Sequence, residues 1–232
     1  MPTAPALVGK LAELALGRRC GVVAVDHVAP GYLQLTLRAD PPPGGWQSGH
    51  EVQFRVTATK GRRYTVRAVG QTDPDHIHIL AVTDAHGPGT AWLSRLRAGE
   101  TVIALAGRHR PLRGSGPRRL HLGDGSTLGT IDAYTSDTDS IAVIETRPDA
   151  VAALSGRWPR LLFLPATDTP GEAALAWLIG ADPAAFGRAD GAVILGHAQT
   201  IQRQRRILLD RALFPRQAIT ARAYWADGKE GL

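Results

Sequence analysis

The chain has 232 residues, 44% of them hydrophobic and 21% charged, with one cysteine and a formal net charge of +6. That is the make-up of a folded globular protein, long enough for one large domain or two small ones. It excludes an intramolecular disulfide and a cysteine-ligated iron–sulfur cluster, and no apolar run reaches the roughly 18 residues that a membrane span needs.

Taken in chain order, Leu7 to Leu16 is apolar in part but carries Lys10 and Glu13, which interrupt a signal-peptide core. The spacing of Leu7, Leu11 and Leu14 predicts a short amphipathic helix over 5–17, and the cytoplasm is the expected location. Cys20 reads as a small buried hydrophobe ahead of the first strand. Alternation of apolar and polar residues predicts strands over 21–28, 32–37, 51–56, 63–69, 76–82 and 101–105, clearest in Leu33/Leu35/Leu37, Val52/Phe54/Val56 and Ile77/Ile79/Ala81. Pro41-Pro42-Pro43-Gly44-Gly45 is a loop. Six such strands and one short helix predict a closed antiparallel barrel, which leaves no exposed edge.

Two stretches of this half carry chemistry. Arg62-Arg63-Tyr64-Thr65-Val66-Arg67 sets a guanidinium fork, a flat phenol ring and a short hydroxyl side by side on one strand. A flavin nucleotide, which has both a ring and phosphates, would use all three; an ordinary strand with a half-buried Tyr has the same residues. His86-Gly87-Pro88-Gly89-Thr90-Ala91-Trp92 is a Gly-rich turn into a short helix, with Thr90 as the expected N-cap. Free N–H groups at such a start attract an anion, although a plain turn and cap reads the same way. His76 and His78 share a strand face at metal-pair spacing. No third ligand is evident, so a polar face and no metal site are expected.

The Pro- and Gly-interrupted run from Arg110 to Arg119 is the expected linker, giving domains over 1–117 and 118–232. After it the pattern changes. Strands are predicted over 120–122, 140–145, 161–164, 192–195 and 218–225, with helices to about Tyr134, over 172–179 with Trp177 inward, and over 199–211. Strands alternating with helices predict a mostly parallel sheet. Gly123-Asp124-Gly125-Ser126-Thr127 falls after the first of these strands, where open sheets bind ligands. Gly196-His197-Ala198-Gln199-Thr200 is the matching lip, readable equally as a helix cap. The basic excess is confined to one half: residues 1–116 hold 14 Lys and Arg against 8 Asp and Glu, and residues 117–232 hold 13 of each. A basic first domain suits a phosphate-bearing cofactor and an anionic substrate. Nucleic acid is not expected as a partner, because no recognisable binding motif accompanies the charge.

In this order, Arg62 to Arg67, His86 to Trp92, Gly123 to Leu128 and Tyr224-Trp225 resemble the siderophore-interacting proteins. These are ferric-siderophore reductases of the ferredoxin-reductase superfamily, and the resemblance runs from about Cys20 to the C-terminus. It implies a six-stranded FAD-binding barrel followed by an α/β domain that binds NADPH or NADH. It implies that Arg63, Tyr64, Thr65, Val66, His86, Gly89, Thr90 and Trp92 hold FAD, that Gly123, Asp124, Thr127 and Arg147 hold the nicotinamide nucleotide, and that Trp225 with Tyr224 covers the flavin ring. Arg147 would favour a ribose 2′-phosphate and Glu145 a free 2′-hydroxyl; the expectation leans to NADPH. The implied substrate is a ferric siderophore or other anionic ferric chelate, held by charge at Arg108, Arg110 and Lys229, with Arg113 nearby. The flavin carries the electrons, so no protein acid, base or nucleophile is expected.

The sequence departs from the family pattern at Gly125-Ser126, Gly129, Gly107-Arg108-His109-Arg110 and after Trp225, where no Arg follows. These departures bear on the nicotinamide and iron sites more than on the fold and the flavin site. A general NAD(P)H:acceptor or flavin reductase, and a non-enzymatic flavin or ligand binder, stand as alternatives.

Overall fold

The computed structural model describes residues 17–84, 87–106, 112, 116–136 and 138–229. The helix expected over 5–17 lies outside them except for Gly17, which opens a strand instead. The chain divides into two compact units, Met1–Pro111 and Leu112–Leu232.

The first unit is a closed barrel of six antiparallel strands: β1 (Gly17–Ala29), β2 (Tyr32–Ala39), β3 (Glu51–Arg55), β4 (Gly61–Val69), β5 (His76–Val82) and β6 (Thr101–Ala106), in the spatial order β1-β2-β5-β4-β3-β6. Period-two alternation turns Leu33, Leu35, Leu37, Val52, Phe54, Val66, Ile77 and Ile79 into one core. Emptying the place of a fully buried ring such as Phe54 costs roughly 3–5 kcal/mol. β1 starts at Gly17, ahead of the expected position 21, because Gly17 to Gly21 pair with β6 and so close the barrel. Tertiary pairing, not local alternation, extends the strand. Register shifts at Val22/Ala24 in β1 and at Val66/Ala68 in β4 supply the bends that closure needs. Cys20 lies in this core, where burial pushes its thiol up to about 11 and leaves it unreactive at neutral pH. A short helix, α1 (Pro88–Leu93), lies between β5 and β6.

The second unit is a five-stranded parallel sheet in the order β11-β10-β7-β8-β9, from β7 (Arg119–Asp124), β8 (Ile141–Thr146), β9 (Leu162–Pro165), β10 (Gly191–His197) and β11 (Ile219–Trp225). Its helices are α2 (Leu128–Thr135), α3 (Val151–Arg157), α4 (Glu172–Gly180) and α5 (Ala198–Asp210). Leu120, Leu122, Val143 and Ile194 on one face of the sheet join Leu178 of α4 and Ile201 and Leu208 of α5 in one core. Trp177 packs edge-on against Phe186, inward as expected. Arg211 donates to the carbonyls of Leu178, Ile179 and Ala181 at the end of α4 and so caps it. α3 has no clear sequence signal, since Ser155-Gly156 breaks its apolar run; the fully buried Leu154 anchors it. The chain leaves β7 toward β8 and β9, then returns to β10 on the other side. The switch point therefore lies at the carboxyl ends of β7 and β10, at Asp124 and His197. Among the described residues no helix is long and apolar enough to cross a membrane.

Candidate functional site

In the barrel, the chemistry-bearing residues meet where β4 passes α1. β4 pairs with β3 so that Tyr64 lies opposite Val52 and Arg62 opposite Phe54. Alternation therefore puts Arg62, Tyr64 and Val66 on one face, and Arg63 and Thr65 on the other. α1 packs against the first face through Gly89: a Cβ there would stand 3.3 Å from both Arg62 Cγ and Tyr64 Oη. Trp92 stacks on Phe54 with centroids 5.1 Å apart, and Tyr64 lies 5.9 Å from Phe54 and 6.2 Å from Trp92. Burial pushes the Tyr64 phenol up to about 12, against the opposing pull of the Arg62 charge, so it stays a neutral donor and acceptor.

The start of α1 differs from the expectation in one respect. Its N-cap is Gly87, at φ 149°, and no side chain caps it. That backbone conformation is open to glycine and to almost nothing else. Thr90 sits inside the helix, where its carbonyl accepts from the Ser94 N–H at 3.0 Å. The first-turn N–H groups of a helix have no intrahelical partner. This corner therefore combines a guanidinium, a phenol, an uncapped helix start and a glycine that lets them approach.

Two further expectations for the barrel, at Arg63 and Val66, are revised. Arg63 is exposed and donates to Gln53 Oε1 at 3.4 Å, on the face away from Gly89. Arg62, two residues before Tyr64, is the arginine beside the turn. Val66 is fully buried; its N–H donates to His50 O at 2.7 Å and its carbonyl accepts from Gly49 at 2.8 Å, so it serves the barrel. His78 bonds Thr36 Oγ1 at 3.1 Å, while His76 faces Asp75 at 3.3 Å and Asp73 at 3.7 Å, so the two histidines do not form a ligand pair. His86, Arg108, Arg110 and Arg113 lie outside the described residues. Lys229 is exposed, just past β11.

At the carboxyl edge of the sheet, Asp124 is the hub. Its Oδ1 accepts from the Ser126 N–H at 2.9 Å and from the Ser126 hydroxyl. Its Oδ2 accepts from the His197 N–H at 3.0 Å and from Trp225 Nε1 at 2.8 Å. Burial pushes this carboxyl up, and the four donors oppose that shift. Gly196, at φ 112°, has no room for a Cβ, which would collide with Asp124. Thr127 donates to the Asp124 carbonyl at 2.7 Å and fills the space above Gly123. Tyr224 Oη meets Thr130 Oγ1 at 2.9 Å.

The two expected ribose readers are engaged within the sheet domain. Buried Glu145 accepts from the Gly171 N–H at 2.7 Å and the Ala174 N–H at 3.1 Å, capping α4. Arg147 holds Asp149 with two bonds of 2.5 and 2.8 Å, and this pairing keeps the Asp149 carboxyl below its usual range. Gly123, Asp124 and Thr127 lie together at this edge, and Trp225, expected over a flavin ring, is bonded to Asp124 there; Arg147 stands in its own pair after β8. Arg62 opens its motif but is not among the residues that the resemblance assigns to FAD, and Phe54 and Asp227 belong to no motif. Arg62 could have been found from the two-residue spacing to Tyr64; Asp227 has no local signal.

No protein-family model matches the chain, and no curated protein matches it. Solved structures do. The siderophore-interacting protein from Acinetobacter baumannii superposes with a TM-score of 0.73 at 15% identity, covering 91% of each chain. A siderophore utilization protein from T. fusca gives 0.67 at 17% identity, covering 93% of this chain and 95% of that one. Phthalate dioxygenase reductase, described as a module for electron transfer from pyridine nucleotides to a [2Fe-2S] centre, gives 0.71 at 13% identity, over 94% of this chain and 71% of that one. At these identities the likeness is one of fold. The chain has the two-part fold of siderophore-interacting proteins and ferredoxin-reductase-type proteins, an antiparallel six-stranded barrel followed by a parallel five-stranded sheet with helices.

Proposed function

We propose that this chain is a flavin-dependent oxidoreductase that passes electrons from a nicotinamide nucleotide to an anionic ferric chelate, such as a ferric siderophore. The observation that carries the reading is the corner formed by Arg62, Tyr64, Gly89 and the uncapped start of α1. Its donor set fits a ligand with a phosphate and a flat ring: the guanidinium and the helix N–H groups suit phosphate oxygens, and the aromatic group of Tyr64, Trp92 and Phe54 gives a rigid wall. FAD is the ligand that the fold relatives and this donor set jointly favour.

Bound FAD would supply the redox chemistry, accepting an electron pair from reduced nicotinamide and releasing single electrons as a ferric ion requires. The residues of this chain bind and orient. Arg62 would neutralise phosphate, Tyr64 would present a neutral hydroxyl, and Thr90 would offer a short polar contact. Arg108, Arg110 and Lys229 would attract an anionic chelate by charge, an attraction that weakens with salt. NADPH is the proposed donor, with NADH the alternative, and a 2′-phosphate would have to draw Arg147 away from Asp149. A cytoplasmic location accompanies this proposal, since reduced nicotinamide nucleotides are its electron source.

A second reading is favoured by the sheet edge. Asp124 and Glu145 are both taken up by internal donors, which would suit a flavin binder that does not use a nicotinamide nucleotide. The two readings separate in one assay: NADPH or NADH oxidation by the FAD-loaded protein with an anionic and a neutral ferric chelate. The reductase reading expects steady turnover that is faster with the anionic chelate, and slower with it in Arg108→Ala and Arg110→Ala variants that retain FAD. FAD binding without turnover would leave the binder.

A further inference from the structure

The geometry points to a proton-operated latch at the carboxyl edge of the sheet, in which His197 holds Asp227 when its Nε2 carries a proton and releases it when it does not. The inference rests on counting donors and is independent of the proposed function. Thr200 has one hydroxyl proton, and it goes to the Pro170 carbonyl at 2.8 Å, a group that can only accept. His197 Nδ1 lies 3.0 Å from the same Thr200 oxygen. That contact is a hydrogen bond only if Nδ1 carries the proton. With the Thr200 proton on Pro170, Nδ1 is the donor, and a neutral His197 presents a bare lone pair at Nε2.

Nε2 is buried and, among the described residues, has no hydrogen-bond partner. The group set against it is Asp227 Oδ2, at 3.2 Å. In the neutral form two acceptors face each other. A second proton turns the same contact into an ion pair. The rest of the surround cannot do this: Asp124 is engaged with the His197 backbone N–H and the Trp225 indole, and Glu145 with the backbone of Gly171 and Ala174. Asp124 and Asp227 are the titratable groups bonded or paired directly to His197, with Glu145 beyond Thr200 and Gly171.

The latch has a mechanical and an optical consequence. Asp227 lies two residues past Trp225, so the ion pair ties down the chain after β11. The imidazole also stacks on Trp225, with centroids 4.3 Å apart and planes at 26°. Protonation puts a cation against the indole face, which is attractive and quenches indole emission.

The test is tryptophan fluorescence of the full chain, scanned from about pH 5 to 8. Subtracting the same scan of Trp225→Phe isolates Trp225 from the other four tryptophans, including Trp46, which has His50 against it. The expected result is emission from Trp225 that falls as pH falls. This component disappears in His197→Gln, and it is displaced toward lower pH in Asp227→Asn, where the partner charge is gone. Asp227 is 68% exposed, so that variant disturbs no packing. A Trp225 component that does not change with pH, that survives in His197→Gln, or whose midpoint is unmoved in Asp227→Asn overturns the latch.

Discussion

At the start of α1 in the barrel, no side chain caps the helix and an arginine and a phenol stand beside it. At the carboxyl edge of the sheet, the corresponding polar groups are already joined to one another: Asp124 takes four donors and Glu145 takes two. Both corners contain a closely packed glycine: a Cβ at Gly89 would be tight, 3.3 Å from Arg62 and Tyr64, and one at Gly196 would collide with Asp124. Yet at Gly87, the N-cap of α1, no described atom lies within 4 Å of where a Cβ would stand, whereas at Gly196 that space is taken by the carboxylate of Asp124 itself. The contrast predicts that mutations at the sheet edge cost stability, and that mutations at the barrel corner cost ligand affinity.

The largest effect is expected from Asp124→Ala. It strips partners from the His197 N–H, the Ser126 N–H and the Trp225 indole at once, and should cost roughly 3–5 kcal/mol in urea unfolding. FAD affinity of the folded protein should stay within about twofold. Equal loss of FAD affinity would break the contrast.

Next in size is an acid effect centred on the sheet. His121 on β7 is buried, and burial pushes its imidazole down to about 4 from an ordinary 6.5. The unfolded chain takes up the proton first. Stability from this residue is complete above about pH 6.5 and is lost as pH falls toward 4, by about 2–3 kcal/mol at pH 4.5. His78 in the barrel shifts the same way through desolvation but is only half-buried. Urea midpoints at pH 7 and 4.5 should therefore converge more in His121→Leu than in His78→Leu. The opposite order would place the acid-sensitive group in the barrel.

Arg62→Ala should weaken FAD binding by roughly 1.5–3 kcal/mol, about tenfold to a hundredfold in Kd, with little change in unfolding. Arg63→Ala, at an exposed position bonded to Gln53, should change Kd less than about threefold. Titration of the two variants with FAD ranks the arginines directly. The smallest effect is expected at Arg147, whose guanidinium is held by Asp149. Arg147→Ala should alter the ratio of NADPH to NADH rates by less than about threefold, and a larger change would restore it as the phosphate reader.

Much of this was legible in the sequence because it is periodic. Leu33, Leu35 and Leu37, or Ile77 and Ile79, announce a half-buried strand by alternation alone, and Ile194 and its neighbours announce a fully buried one. The start of β1 was not legible, since Arg18 and Arg19 are ordered by pairing with β6 and carry no pattern of their own. At the site, Tyr64, Gly89 and Trp92 could be read because their residue types suit one chemistry. Which arginine faces Gly89 depends on strand phase, and the phase follows from counting back from Tyr64. Asp227 and Glu145 were obscure for another reason. Their partners lie 30 and 26 residues away, at His197 and Gly171, and only the folded chain brings them together.

The proposed occupant of the corner of Arg62, Tyr64 and Gly89 is a flavin nucleotide. FAD titration of purified wild-type protein, read by its visible absorbance and by heat, tests it most directly when run beside Arg62→Ala and Arg63→Ala. A coloured one-to-one complex is expected for wild type, with nearly the same affinity for Arg63→Ala and at least about tenfold weaker binding for Arg62→Ala. A wild-type protein that stays colourless with added FAD, or binding that Arg62→Ala leaves unchanged, would contradict it.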